Sequence, residues 1–331
     1  MYILDNNKVT KIEETTFKEI GMKECHVEEL LRQNIEMLCD EEDSMLIVGQ
    51  QVTNESSGRS DLTAIDNEGN IVLIEIKRDK KDIEHRREAF EFQAIRYAAS
   101  FATIHTVDEF IQNIYSPYVE NHKDEYKDCK THTSAEIAQR ELANFFEGNN
   151  LSVEDFNNKQ RIILVASEFD DQTLSAVAWL NSNSVDISCY QISLNKANEK
   201  VIIDMKKILP VDDYNDYLVN ITRAQTFVPK KKNTKISRKI LPKIDSMIDW
   251  GVVTPGDVIV ANTSTKEESI LQKDGNIKTS QNEIMTIQQW LKNITGWSAV
   301  ETYKFAIDKK SGKTLSKLRE EYMKQNIQDK Q

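Results

Sequence analysis

The sequence predicts an α/β (α+β) protein with a mixed central sheet flanked by helices and a second, smaller α+β domain. Two segments of β-type residues flank a turn at residues 66–70, which indicates a hairpin with glycine in a left-handed position. Residues 161–192 alternate between strand, helix and strand, which is typical of a parallel βαβ unit. A chain of 331 residues also exceeds the usual size of a single core, so we expect two domains.

Hydrophobic spacing predicts the elements of the first domain. Val27, Leu31 and Ile35 recur at helical spacing and predict a helix over residues 24–39. The other predicted elements, in chain order, are strands at 44–52, 59–66 and 71–77, a helix at 82–101, an insertion or loop within 116–140 before a helix around 135–146, a strand at 161–168, a helix at 174–180, and strands at 185–192 and 200–208.

The second domain is predicted to mix short strands with helices. A helix around residues 240–248 stops at Gly251, and a meander of strands at 257–261 and 269–272 follows. A helix at 286–294, a strand at 301–307 and a helix at 314–323 complete it. Its large aromatic side chains share the spacing of apolar neighbours, which favours core packing over base stacking; these are Trp250, Trp290, Trp297 and Tyr303.

Charge divides the chain at a basic, proline-containing segment. Residues 226–331 hold 19 Lys and Arg against 12 Asp and Glu, a net charge of +7, whereas residues 1–225 carry −18. We assign residues 1–225 to the first domain, 226–236 to a linker and 237–331 to the second domain. A polyanion would prefer the C-terminal part. The linker lysines either contact phosphates or belong to a solvated tether; these are Lys230, Lys231 and Lys232.

The composition also limits the cellular context. No window approaches 18 uninterrupted apolar residues, and Asp5 interrupts the start of the chain before a signal-peptide core could form. The four cysteines lie far apart without a CxxC pair, which argues against a disulfide framework. We therefore predict a cytoplasmic protein with no membrane partner.

The hairpin at residues 59–77 predicts a pair of opposed carboxylates. A type I turn with Gly69 in the left-handed conformation pairs Asp66 with Asn70, so Asp61 lies directly opposite Glu75. Alternation places Lys77 on the same face as Glu75, roughly 7 Å along the strand. Three charged side chains therefore gather at one end of the hairpin.

Opposed carboxylates repel each other, and a divalent cation removes the conflict. Oxygen ligands favour Mg²⁺ or Mn²⁺, which keep several waters and also bind phosphate oxygens. Lys77 could then orient or help deprotonate an attacking water and stabilise charge at phosphorus. The plainer alternative is that Glu75 and Lys77 end a strand at the solvent edge. Against it, Glu75 interrupts a run of apolar residues whose two faces both look buried.

Two predicted helices can reach this end of the hairpin. Gln93 lies on the helix that follows, with Ala89 and Tyr97 one turn to either side. Glu28 follows Val27 on the first helix and could add a third carboxylate, and Glu29 is its rival.

Taken together, these segments resemble the PD-(D/E)xK nuclease superfamily, most closely its NucS-type and resolvase-like branch, over roughly residues 20–215. The resemblance implies a restriction-endonuclease-like, four-stranded mixed sheet and a metal bound by Asp61, Glu75 and the Ile76 carbonyl. It also implies that Lys77 assists water and that Gln93 and Glu28 support the site. Ser60 stands where the motif has proline. The matching segments are Val27-Glu28, Gly58-Arg59-Ser60-Asp61-Leu62, Glu75-Ile76-Lys77-Arg78, Gln93 with Tyr97, and Leu164-Val165-Ala166 with Trp179-Leu180.

Further features suggest a nucleic-acid partner. A basic cluster after Lys77 would suit phosphates entering the site, although a solvated helix start explains it equally well; its members are Arg78, Lys80, Lys81, Arg86 and Arg87. Residues 237–323 resemble the small restriction-enzyme-adenine-methylase-associated (RAMA) domain, which implies a DNA-facing accessory role. The segments that carry this resemblance are 248–257, 273–277, 294–297 and 312–319.

The sequence thus predicts a metal-dependent endonuclease that acts on DNA in defence or repair. The alternative is a catalytically silent module that recognises DNA, including modified DNA. The preference for DNA over RNA comes from the resemblance alone. Because each chain carries one site, cutting both strands would call for a homodimer.

Overall fold

The computed structural model describes residues 2–5, 8–54, 58–78, 89–126, 130–197, 200–211, 241–263 and 265–328. The chain forms two units. The first comprises Met1–Leu38, Ile47–Glu147 and Leu151–Ser237, and the second comprises Cys39–Leu46, Gly148–Asn150 and Arg238–Gln331. The linker assigned to residues 226–236 lies outside the described residues. Among the described helices, none is both long and apolar enough to cross a membrane.

The elements of the first unit alternate between strands and helices. Its strands are β1 (Tyr2–Asp5), β2 (Lys8–Lys11), β3 (Glu13–Thr15), β4 (Met45–Gln50), β5 (Leu62–Asp66), β6 (Ile71–Lys77), β7 (Gln160–Ala166), β8 (Asp186–Ala197) and β9 (Lys200–Leu209). Its helices are α1 (Glu24–Gln33), α2 (Phe90–Phe101), α3 (Val107–Phe110), α4 (Ser116–Asn121), α5 (Ser134–Asn149) and α6 (Asp171–Ser182), with a π-helix at Ile111–Tyr115 and short 3₁₀ helices at Ile35–Leu38, Lys123–Glu125 and Val153–Asp155.

A seven-stranded mixed sheet with helices around it organises the first unit. The mixed sheet flanked by helices is as predicted, but it has three more strands than the four that the resemblance implies. Its strand order is β3-β8-β7-β6-β5-β4, and β9 pairs with β8. β5 and β6 are antiparallel, whereas β6, β7 and β8 are parallel, with α6 connecting β7 to β8. β6 is central, and Leu73, Ile74 and Ile76 are at most 1% exposed because both faces of the sheet are covered.

The β5–β6 hairpin has the register predicted from its turn. Leu62 pairs with Ile74 and Ala64 with Val72. Gly69 closes the turn with φ +82°, and its N–H donates to the Asp66 carbonyl at 2.9 Å. A left-handed residue at this position fixes the loop length, and the loop length fixes which residues face each other.

Four predicted elements of the first unit differ from the structure. The helix predicted at residues 24–39 ends at Gln33, because Asn34 leaves the helical conformation, and a separate 3₁₀ helix follows at Ile35–Leu38. The helix predicted at residues 82–101 begins at Phe90, because Ala89 has extended backbone; residues 79–88 lie outside the described part of the chain. The strand predicted at 59–66 begins at Leu62. The loop predicted at 116–140 is largely helical where it is described, because Tyr118 and Val119 pack into the core among polar neighbours.

The second unit is a six-stranded antiparallel sheet with four helices among the described residues. The strand order is β13-β12-β11-β10-β14-β15. Its elements are α7 (Ile244–Asp249), β10 (Val258–Ala261), β11 (Glu268–Leu271), β12 (Ile277–Thr279), β13 (Ile284–Met285), α8 (Ile287–Thr295), α9 (Thr302–Phe305), β14 (Ala306–Asp308), β15 (Lys313–Thr314) and α10 (Leu315–Gln328). The strand predicted at 301–307 is instead the short helix α9 followed by β14, because the side chains of α9 fill the core rather than alternate.

Core packing is confirmed for three of the four large aromatic residues of this unit. Trp290, Trp297 and Tyr303 are buried, whereas Trp250 is half-buried and stacks on Tyr322 with ring centroids 4.6 Å apart. The Arg319 guanidinium lies over the Tyr303 ring at 4.5 Å.

The segment Cys39–Leu46 is built into the second unit. Met45 forms an antiparallel bridge with Ala299, and the Tyr303 hydroxyl donates to Glu41 at 2.9 Å. The Arg319 guanidinium pairs with Glu42 at 2.8 Å. The fold of the second unit therefore includes residues far upstream of the change in net charge.

Substitution of Gly69 tests the turn that sets the hairpin register. A Cβ at Gly69 would lie 2.7 Å from the Asp155 carbonyl oxygen, whereas a Cβ at Gly21, which also has positive φ, meets nothing within 4 Å. We expect Gly21→Ala to cost about 1–2 kcal/mol of unfolding free energy through backbone strain, and Gly69→Ala to cost clearly more. Urea denaturation followed by circular dichroism measures both. Equal losses would contradict the tight contact at Gly69.

Candidate functional site

Two acidic side chains meet at one end of the β5–β6 hairpin. Asp61 lies immediately before β5, and its Oδ2 accepts a hydrogen bond from the Ile76 backbone N–H at 2.7 Å. Continuing the observed register by one pair places Asp61 opposite Glu75 on β6. At this position the Asp61 charge contributes to raising the pKa of Glu75.

Glu75 is a fully buried carboxyl group with an incomplete set of hydrogen bonds. Its side chain is 0% exposed, and its Oε2 accepts from the Gln93 amide at 3.3 Å. Its Oε1 is buried and has no hydrogen-bond partner among the described residues. Burial, then the Asp61 charge, raises the pKa of Glu75 well above that of an ordinary glutamate. Burial likewise raises the pKa of Asp61, against the opposing effects of Lys77 and the Ile76 N–H.

Glu28 rather than Glu29 faces this pair from α1. Glu28 is 2% exposed, and its Oε2 accepts from the Gln51 amide at 2.6 Å, while its Oε1 is buried without a partner in the described residues. Burial raises the pKa of Glu28, and the Glu28 charge contributes to raising the pKa of Asp61. Glu29 instead pairs with Arg32 at 2.7 Å. The structure therefore distinguishes the two rivals that sequence reasoning left open.

Lys77 brings a cation to the same end of β6. Its Nζ lies 3.5 Å from Glu24 Oε1 and 5.8 Å from the centre of the Phe90 ring, and its side chain is 14% exposed. Burial lowers the pKa of Lys77, but the charges of Glu24, Asp61 and Glu75 together raise it above the ordinary value. The ammonium form is therefore the stable form in this site.

Two residues of the site were missed by the sequence reasoning. Glu24 lies one helical turn before Glu28, so its spacing on α1 was a usable signal. Gln51 carried no such signal. It has φ 55°, and its N–H donates to the Asp61 carbonyl at 2.8 Å while its side chain binds Glu28. A non-glycine residue in this conformation is strained, and here it connects two of the acidic positions.

The predicted basic cluster is described only at Arg78. The Arg78 guanidinium donates to the Met22 carbonyl at 3.2 Å. The other members of the cluster and the linker lysines lie outside the described residues; these are Lys80, Lys81, Arg86, Arg87, Lys230, Lys231 and Lys232. The exposed Arg59 is a further cation near the site, since its charge lowers the pKa of Glu28.

The donor set suits a hard cation with few protein ligands. The described residues contain no group of three or more His, Cys, Asp or Glu side chains arranged to hold a metal ion. The two orphaned oxygens, on Glu75 and Glu28, are nevertheless costly in a protein interior unless a proton or a cation satisfies them. Two carboxylates and a carbonyl match the protein ligands of Mg²⁺, which retains waters in most of its sites.

No protein-family model matches the chain, and comparison with curated proteins gives no significant match.

The buried carboxyls predict an unusual pH dependence of stability in the metal-free protein. Because the pKa of Glu75 is raised on folding, the folded state binds more protons than the unfolded state at any pH between the two values. The free energy of unfolding should fall as pH rises from the ordinary glutamate value, about 4.3, through neutrality. We expect Glu75→Gln to flatten this fall in thermal melts in EDTA.

The matched control is Glu29→Gln, which removes a carboxylate of lowered pKa from an ion pair on α1. It should leave the slope against pH as steep as in the wild type. The same slope in Glu75→Gln and the wild type would contradict a neutral, buried Glu75.

Proposed function

We propose that the protein is a metal-dependent endonuclease that hydrolyses phosphodiester bonds in DNA, with Mg²⁺ or Mn²⁺ as cofactor. The observation that carries the proposal is the pairing of the half-buried Asp61 with the fully buried Glu75, with Lys77 two residues further along β6. The finer fold assignment belongs to the same proposal: a restriction-endonuclease-like sheet with the PD-(D/E)xK arrangement of site residues.

Asp61, Glu75 and the Ile76 carbonyl would hold the cation. In an antiparallel ladder the N–H and C=O of one residue point to the same neighbouring strand. Because the Ile76 N–H reaches the Asp61 carboxylate, the Ile76 carbonyl faces the same side. When bound, the ion supplies Lewis-acid polarisation of the phosphate and lowers the pKa of its water. The orphaned Glu75 Oε1 gives a structural reason for a cation at this point.

Lys77 supplies positive charge to the reacting phosphate. Its pKa is raised, so the side chain acts as an ammonium that stabilises developing negative charge and orients water, rather than as a neutral base. Glu24, 3.5 Å away, positions the ammonium. Gln93 is likewise a positioning residue, because its amide donates to Glu75 and keeps that carboxylate in place.

Substrate binding is assigned mainly to the C-terminal part of the chain. Its net charge of +7 favours contact with a polyanion, whereas the first 225 residues carry −18. We propose that the linker lysines at residues 230–232 and the RAMA-like residues 237–331 together hold DNA, and that double-strand cutting uses a homodimer. A silent DNA-binding module with the same residues would keep this charge distribution without cleaving.

Metal binding should stabilise the fold through Asp61. A ligand at 100 times its dissociation constant adds about 2.7 kcal/mol to the free energy of unfolding, so Mn²⁺ should raise the melting temperature of the wild type. We expect Asp61→Asn to lose most of this increase, and Glu29→Gln to retain it. Equal Mn²⁺-dependent shifts in the wild type and Asp61→Asn would place the metal elsewhere.

Cleavage tests the function itself. We expect the wild type to cut at least one of plasmid, modified phage DNA and branched DNA with Mg²⁺ or Mn²⁺ but not with EDTA. Lys77→Ala should cut about 10²–10³-fold more slowly, because its charge acts in the transition state, while the Mn²⁺ melting shift persists. Lys123→Ala removes a half-exposed lysine paired with Glu120 and serves as the control.

The outcomes separate the two candidate functions. Wild-type rates in Lys77→Ala would remove this lysine from the mechanism. Binding of all three DNAs without cleavage under any metal condition would favour the silent recognition module. Cleavage of RNA in preference to DNA would overturn the substrate assignment.

A further inference from the structure

A cavity of about 530 Å³ opens in the first unit, and one of its wall residues, Ser60, directly precedes Asp61 in the chain. Its walls come from the loop after β4, from the residues that lead into β5, from the C-terminal half of α2 and from the π-helix. The volume falls in the usual range for small-molecule sites. The residues that matter for its chemistry are Asn54, Gly58, Ser60, Tyr97, Phe101 and Asn113.

Among the residues that the structure describes, the lining is aromatic and polar and includes no charged side chain. Tyr97 and Phe101 contribute rings, and Asn113 contributes an exposed amide that makes no side-chain hydrogen bond to other described residues. The Tyr97 hydroxyl accepts from the Arg59 N–H at 3.1 Å, which leaves its own proton free to be donated. This set suits a flat, neutral group with edge donors and acceptors, and it disfavours a phosphate or carboxylate.

The wall at Tyr97 is held in place by close packing. A Cβ at Gly58 would lie 2.5 Å from Tyr97 Cε1, so the backbone at Gly58 touches the ring edge. Asn54 accepts from the Gly58 N–H at 2.8 Å and donates to Ser100 at 3.2 Å. The aromatic wall is therefore largely preformed rather than assembled by a ligand.

The cavity and the carboxylate site are formed by neighbouring positions on the same two elements of the fold. Ser60, a wall residue, directly precedes Asp61, and Tyr97 lies one helical turn beyond Gln93 on α2, a rise of about 6 Å. The base of a nucleotide is separated from its own phosphate by a single sugar, a spacing of the same order. A strand with its phosphate at Asp61 and Glu75 can therefore place a neighbouring base in the cavity.

We infer that this cavity is a subsite for one unpaired nucleobase of the strand whose phosphate lies at the Asp61–Glu75 pair. The inference rests on the proposed nuclease function, which it deepens by naming an unpaired nucleotide as part of the substrate. A paired base cannot enter, because stacking and pairing hold it inside the duplex. The protein should consequently prefer DNA with an unpaired or extruded base next to the scissile phosphate.

The test uses the full chain with Glu75→Gln, so that binding is measured without cleavage. The probes are two duplexes, one fully paired and one with a single 2-aminopurine opposite an abasic site. We expect about tenfold tighter binding of the unpaired duplex by fluorescence anisotropy, together with a change in 2-aminopurine emission. A second substitution in the same protein, Asn113→Trp, fills the cavity from an exposed position. It should abolish the preference for the unpaired duplex and leave the affinity for the paired duplex unchanged.

Two further variants keep the test independent of folding. Thr103→Trp fills the cavity from another exposed wall residue and should act like Asn113→Trp. Gln112→Trp places the same bulk on the neighbouring exposed residue outside the cavity and should retain the preference. An equal preference for the unpaired duplex in Asn113→Trp, Thr103→Trp and Gln112→Trp would overturn the subsite. Equal binding of the two duplexes by the protein without a tryptophan substitution would also overturn it.

Parallel cleavage assays with the otherwise wild-type chain separate this inference from the proposed function. Cleavage without any preference for the unpaired duplex would overturn the subsite but support the proposed nuclease function. If Asn113→Trp abolishes the binding preference for the unpaired duplex but no cleavage is seen, the subsite is supported and the proposed nuclease function is wrong. Displacement of the 2-aminopurine signal by millimolar free nucleosides, without a duplex preference, would assign the cavity to a soluble nucleoside and overturn its link to the strand.

Discussion

The burial of Glu75 in the central strand of the sheet is the constraint on which the rest of the site depends. A carboxyl group with no exposed surface must be neutral, paired or bound to a cation, because an isolated charge is too costly in a protein interior. One of its oxygens is satisfied by Gln93 and the other has no partner among the described residues. Asp61 beside it adds to the cost rather than relieving it. Such an arrangement opposes stability and is typical of a site kept for function.

The surrounding elements each contribute one interaction to this arrangement. The turn at Gly69 fixes the register, and the Ile76 N–H fixes the Asp61 carboxylate. α1 supplies Glu28 to the acidic group and Glu24 to Lys77. The site is therefore built on a sheet and two packed helices, which hold side chains more precisely than loops do.

The cavity beside the carboxylates gives the site a second chemical character. The carboxylate end brings Asp61, Glu75 and Lys77 together, whereas the cavity lining among the described residues is neutral and aromatic. A nucleotide joins the same two kinds of chemistry in one molecule. Residues 226–331 carry a net charge of +7 against −18 on the first 225 residues, and an electrostatic effect of this kind is screened by salt and selects no sequence.

Local signals in the amino-acid sequence are enough to predict some parts of the molecule. The turn residues at 66–70 and the alternation on either side specify the hairpin register, and hence the Asp61–Glu75 pairing. Hydrophobic spacing likewise specified α1, the βαβ unit and most of the second unit. Local polarity misled at residues 116–121, where a few buried aromatic and aliphatic side chains decide that the segment is helical.

Long-range packing selects Glu28 over Glu29, brings Gln51 to Glu28 and brings Lys77 to Glu24. Adjacent helical residues point in directions about 100° apart, so the packing of α1 against the sheet selects which one faces the site. Gln51 has a left-handed backbone conformation, which glutamine as a residue type does not predict. The inclusion of residues 39–46 in the second unit likewise follows from long-range pairing with Ala299 and Tyr303, which no local pattern encodes.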